Sequence, residues 1–214
     1  MIEPQHQQSL DTLQEIRSLM ERSSRFISLS GLSGVSAGIF ALIGAAVAGI
    51  YLGRFDTQEL NYENFFEIER WGIKAGVFLL MDAVLVFIFA VLSAIYFTTR
   101  KAKLKGLPIW DAVSRRLLWS LATPLIAGGV FILALLYQGI VGLVAPCTLL
   151  FYGLALVNAS KYTLDDVRQL GYVEIVLGLI TCFNIGYGLE SWALGFGILH
   201  IAYGLYMYYK YERS

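Results

Sequence analysis

The chain has 214 residues, of which 57% are hydrophobic and 15% charged, with sixteen basic and sixteen acidic side chains. Soluble domains carry about 25% charged residues, so this composition excludes an ordinary water-soluble globule, and zero net charge argues against nucleic acid as a partner. Cys147 and Cys182 both fall inside apolar runs, which suits small packing residues and neither a disulfide framework nor a zinc-site spacing.

The first 25 residues are polar and mixed in charge, unlike a cleavable leader with its basic start and apolar core. Asp11 followed by Gln14 resembles a capping box, and Leu13, Ile16 and Met20 share one face, so residues 1–25 are expected to form a short amphipathic cytoplasmic helix. That helix would lie on the membrane surface or pair with another helix.

A membrane-crossing helix needs ~20 apolar residues, because the helix rises 1.5 Å per residue through ~30 Å of hydrocarbon. Six segments qualify: residues 26–52, 75–99, 117–137, 139–160, 171–189 and 191–209. The third and fourth come from one run without a charge, folded back at Tyr137, Gln138 and Gly139. Each run is contiguous and lacks the alternation of a barrel strand. The expected fold is therefore all-α, a polytopic six-helix bundle over 26–209 with a cytoplasmic tail at 210–214. Thr163 and Asp166 form a capping pattern for a short helix leading into the fifth span.

Basic residues set orientation. With the N-terminus inside, Arg54, Arg70 and Lys74 face out, and the other thirteen of the sixteen lie on the cytoplasmic side. Both termini are thus expected in the cytoplasm. The loop from Arg100 to Arg116 holds six cations around Leu107, Pro108, Ile109 and Trp110; it sets topology and suits anionic lipid headgroups.

The first span repeats small residues at Ser30, Gly34 and Gly38. Such a stripe lets backbones approach closely, in packing within the bundle or in a dimer seam. Asp82 is the least expected residue, since a carboxylate deep in a span costs ~2.5–3.5 kcal/mol on insertion scales. Counted from Trp71 it lies ~16 Å in, and His200, counted from Trp192, lies ~12 Å in. The two are candidates for an intramembrane pair that binds a proton or cation, or that joins two helices. Glu174, about one turn inside the fifth span, is expected to snorkel or to meet Arg115, Arg116 or Arg168. Asn184 adds hydrogen-bonding capacity, and Pro124 and Pro146 are candidate kinks.

The only histidines are His6 and His200, and the chain holds no HExxH, Walker loop or paired-histidine cluster. No metal or cofactor is expected, and the reading leans away from an enzyme. The segment FYGLALVNASKYTLDDVRQLGYVEIVLGL (residues 151–179), the SLSGLSG run from Ser28 and the ending FGILHIAYGLYMYYKYE resemble a group of uncharacterised bacterial membrane proteins. The resemblance implies a multi-pass protein of the bacterial inner membrane and carries no activity. Two functions remain open. One is a non-enzymatic subunit, regulator or scaffold working through lipids, another membrane protein or self-association by the first span or N-terminal helix. The other is a small transporter or channel for protons, cations or a small solute, using Asp82 and His200.

Overall fold

The computed structural model describes Phe26, Phe65 and residues 29–53 and 67–213. The amphipathic helix expected over 1–25 and the acidic loop residues Asp56, Glu59 and Glu63 lie outside them. Among the described residues the fold is a helical bundle with one hairpin of two-residue strands.

Helix α1, Gly31–Leu52, contains no charged residue and stops at Gly53, whose φ of 67° the missing Cβ permits. The hairpin of β1 (Glu69–Arg70) and β2 (Ile73–Lys74) turns through Trp71 and Gly72, both left-handed, at φ 55° and 72°; two such central residues make a type I′ turn. Tyr51 fixes the hairpin to α1. Its hydroxyl donates to the Ile73 carbonyl and accepts from the Arg70 amide at 3.2 Å, while its ring stacks on Phe78 at 3.9 Å.

Helix α2 is Ala75–Leu104 and α3 is Ala112–Tyr137. Asp111 starts α3 through a reciprocal capping box, its carboxylate accepting from the Ser114 amide at 2.7 Å and its own amide donating to the Ser114 hydroxyl at 2.7 Å. Helix α4, Val144–Ala159, is extended by single 3₁₀ turns at Val141–Leu143 and Ser160–Tyr162. Helix α5 is Asp166–Cys182. The expected Thr163 capping bond does not start it: the Thr163 hydroxyl donates instead to the Phe26 carbonyl at 2.8 Å, and Asp165, at the cap, makes no side-chain capping bond. Helix α6 is one continuous run of Gly188–Trp192, a π-helical stretch Ala193–Leu199, and His200–Tyr211.

Among the described residues four segments are long and apolar enough to cross a membrane: α1, α2, α3 and Val141–Tyr162 around α4. The order of packing is α2 on α1, α1 on α6, α6 against α4 and α5, and α3 on α4. Helices α2 and α3 are consecutive in sequence but do not pack together. They are the outer helices, with 6% of their apolar windows buried against 39% for α1.

The α1–α6 seam is where the small residues go. A Cβ on Gly38 would lie 2.6 Å from the Gly197 carbonyl oxygen, and one on Gly34 3.2 Å from the Gly204 Cα. The stripe at Gly34 and Gly38 therefore faces α6 of the same chain. At the end of this seam Glu212 accepts from the Gly31 amide at 2.6 Å and the Ser30 hydroxyl at 3.1 Å, and pairs with the nearly sealed Lys101 at 3.3 Å. One carboxylate thus caps α1 and joins it to the ends of α2 and α6.

Candidate functional site

Helices α4 and α5 meet along glycines. A Cβ on Gly153 would come 2.6 Å from the Gly171 carbonyl oxygen, and one on Gly178 2.9 Å from that of Pro146. Gly171, Glu174 and Gly178 are spaced to share one face of α5, so the glycines that draw the helices together also carry Glu174 into the centre. Its side chain is 0% exposed. Neither carboxylate oxygen has a hydrogen-bond partner among the described residues.

His200 on α6, itself buried, brings Nδ1 to 3.5 Å from Glu174 Oε1. Nδ1 also faces the Gly195 carbonyl at 2.9 Å, and Nε2 lies 2.8 Å from the Tyr152 hydroxyl on α4. A carbonyl only accepts, so Nδ1 carries the hydrogen of a neutral ring, and Nε2 then accepts from Tyr152. The π-helical stretch before His200 brings Gly195 opposite Glu174, where an added Cβ would meet Oε2 at 2.6 Å. Phe196 packs between Trp192 and the Tyr152–His200 pair, with ring centroids 5.1, 5.0 and 5.9 Å away. The Tyr203 hydroxyl is a further buried group without a hydrogen-bond partner among the described residues.

The cluster can exist in two arrangements with the same number of protons. Protonated Glu174 stands beside neutral His200, or ionised Glu174 stands beside doubly protonated His200. In the second, Nδ1–H still faces Gly195 and Glu174, and Nε2–H donates to the Tyr152 oxygen, which can accept as readily as it donates. The two arrangements differ in where one proton is held, on the Glu174 carboxyl or on His200 Nε2, and turning the Tyr152 hydroxyl accommodates either. A metal is a poorer fit, because among the described residues no group of three or more His, Cys, Asp and Glu side chains stands close enough to hold one.

The structure does not bring Asp82 to His200. Asp82, on α2, lies against α1, with Oδ2 3.3 Å from where a Cβ of Gly44 would be, while both His200 nitrogens are engaged by α4, α5 and the π-helical carbonyl. Asp82 has no hydrogen bond or ion pair with any described residue. Glu174 does not meet Arg115, Arg116 or Arg168; Arg168 donates to Ser160 at 3.2 Å and pairs with Asp165 at 3.5 Å. Asn184 is exposed and donates to the Ile180 carbonyl one turn back at 2.9 Å.

No known family, curated protein or solved structure matches this chain. The site must be read from its own chemistry.

Tyr152 and Gly195 are the members that sequence reasoning missed. A signal was present for the centre of the cluster: an acidic residue flanked by Gly171 and Gly178 on one helical face. For Tyr152 no local signal exists, because its role depends on which helix packs beside α6.

Proposed function

We propose that the chain is a multi-pass protein of the bacterial inner membrane, with six spans and both termini in the cytoplasm, and that it carries protons through Glu174, His200 and Tyr152. Length supports a span at α6, which measures about 36 Å at helical rise; α5, at about 26 Å, is shorter than the ~30 Å of hydrocarbon, and the fifth span rests on the apolar run 171–189. The observation that carries the functional reading is the Glu174 carboxylate, sealed from solvent without a hydrogen bond and 3.5 Å from a histidine nitrogen. Intramembrane ionisable groups are costly and mark ion and proton paths. Unused carboxylate oxygens are a poor device for merely joining helices, which is better done by satisfied hydrogen bonds. A π-helical segment beside them agrees with the frequent placement of such segments at functional sites.

The test is proton flux into liposomes holding the purified full-length chain, read by an entrapped pH-sensitive dye under an imposed potential. Wild type should acidify the lumen and Glu174→Gln should not, with equal reconstituted amounts of folded protein. Equal flux from both, or none from wild type, overturns the reading.

A second reading, a non-enzymatic subunit or scaffold, is favoured by Asp82. A half-exposed carboxylate on an outer helix, without a partner among the described residues, suits a hydrogen-bond donor on a neighbouring protein. Native mass spectrometry from the source membrane separates the two: a stoichiometric second protein, lost in Asp82→Leu, would favour the subunit.

A further inference from the structure

Two basic clefts open at the end of the bundle where α2 ends and α3 begins. In one, between α1, α2 and α6, the charge of Lys101 is answered within the chain by Glu212. The other, about 540 Å³, lies between the first turns of α3 and the end of α4, and no acidic side chain among the described residues lines it. Arg115, Arg116, Trp119, Ser120, Asn158 and Tyr162 form its walls. Neither guanidinium has an ion pair or hydrogen bond with any described residue. The Asn158 amide is held in place by donation to the Ser120 carbonyl at 2.8 Å, and its oxygen accepts from Lys161 at 3.2 Å, which brings a third cation to the rim.

We propose that this cleft binds the phosphate group of an anionic phospholipid. Two guanidinium forks side by side match a phosphate's oxygens better than point charges would. The lipid, as opposed to a soluble phosphate, follows from what continues below the cleft. Trp119, Ile126, Val130 and Leu133 fall on one face of α3 by helical spacing, and they are 70, 60, 63 and 66% exposed. Helix α2 does not close over this face, so an acyl chain can lie along it while the headgroup sits between the arginines, with the Trp119 ring at the polar–apolar boundary. The inference rests on the membrane reading of the fold and is independent of the proton cluster.

The experiment is native mass spectrometry of the full-length chain in mild detergent, titrated with phosphatidylglycerol or with phosphatidylcholine of the same acyl chains. Wild type should retain phosphatidylglycerol preferentially. Arg115→Gln/Arg116→Gln should weaken that retention roughly thirtyfold, as expected for two basic residues near an anionic headgroup. Lys103→Ala, which removes an exposed cation outside the cleft, should leave it unchanged. If the double variant does not fold, Arg116→Gln alone should give a loss of about fivefold. Equal retention of the two lipids, unchanged retention in the arginine variants, an equal loss in Lys103→Ala, or displacement of phosphatidylglycerol by millimolar inorganic phosphate would each overturn the assignment.

Discussion

The Glu174 carboxylate rests against the bare backbone of Gly195, so close that a methyl group on Gly195 would stand 2.6 Å from Oε2 and 2.5 Å from a methyl of Leu149. Both neighbours are the ends of side chains, but both are 0% exposed, so neither has free space to move into. Gly195→Ala should destabilise the folded protein by about 1–3 kcal/mol, the usual range for overpacking, and should push Glu174 away from His200. Thermal unfolding in detergent measures the first effect, and proton flux the second. A variant as stable and active as wild type would show that the contact is slack.

Tyr152→Phe removes the hydroxyl that satisfies His200 Nε2 and nothing else. The expected loss is ~0.5–1.5 kcal/mol for the bond itself, more if the ring nitrogen is left unsatisfied. Coupling to Glu174 is checked by a double-mutant cycle with Glu174→Gln. Strict additivity would mean that the tyrosine and the glutamate do not act as one cluster.

The α1–α6 seam gives a graded prediction. An alanine methyl at Gly38 would meet backbone, the Gly197 carbonyl at 2.6 Å and the Ile201 amide nitrogen at 3.0 Å, whereas at Gly34 the nearest atoms are 3.2 and 3.3 Å away. Gly38→Ala must therefore separate the helices and Gly34→Ala need only ease them apart by a few tenths of an ångström. Folded yield and melting temperature should fall much further for Gly38→Ala. Equal effects would mean that the helices do not pack in this register.

Four helices were legible in the sequence because an uninterrupted apolar run, with its backbone unsatisfied by lipid, has one regular solution. The fifth was displaced in its bounds, from 171–189 to Asp166–Cys182, because the polar turn from Asp166 to Leu170 is helical without being apolar. The partner of His200 was not legible. Depth along a span can be counted from a tryptophan, but which helix stands beside α6 depends on packing, and here α1 lies between α6 and α2. Glu174 reads as a boundary residue because it lies about one turn inside the expected end of the fifth span, although the glycines flanking it already indicate a buried face. The Glu212 latch joins residues 181 positions apart, a separation at which no periodicity reports.

The capping box of α3 predicts a small, local loss. Asp111→Ala should cost ~0.5–2 kcal/mol, the range for replacing an N-cap residue, and Ser114→Ala should remove the reciprocal half of the same bond pair. Asp111 begins the helix that carries Arg115 and Arg116, so fraying should also loosen phosphatidylglycerol. Hydrogen exchange at the first turn of α3 is the direct check, and unchanged protection there would refute the local account.

Asp166 gives the pH dependence. It lies ahead of the apolar stretch of α5 and ties that helix to the end of α6, accepting from Lys210 at 2.8 Å and from the Tyr211 hydroxyl at 2.7 Å. Burial pushes its carboxyl up, but these bonds outweigh the burial and hold it below the usual carboxylate range. Folded Asp166 therefore keeps its charge at pH values where an unfolded aspartate, at ~3.9, has taken up a proton. Its stabilisation is complete above that pH and disappears as pH falls through the lower folded value. Asp166→Asn should melt below wild type at neutral pH, and the gap should close on acidification into the range below ~3.9. Melting curves of the two proteins across that range decide it. A gap that persisted undiminished in acid would mean that the carboxylate's charge contributes no stability and that its shape alone is required.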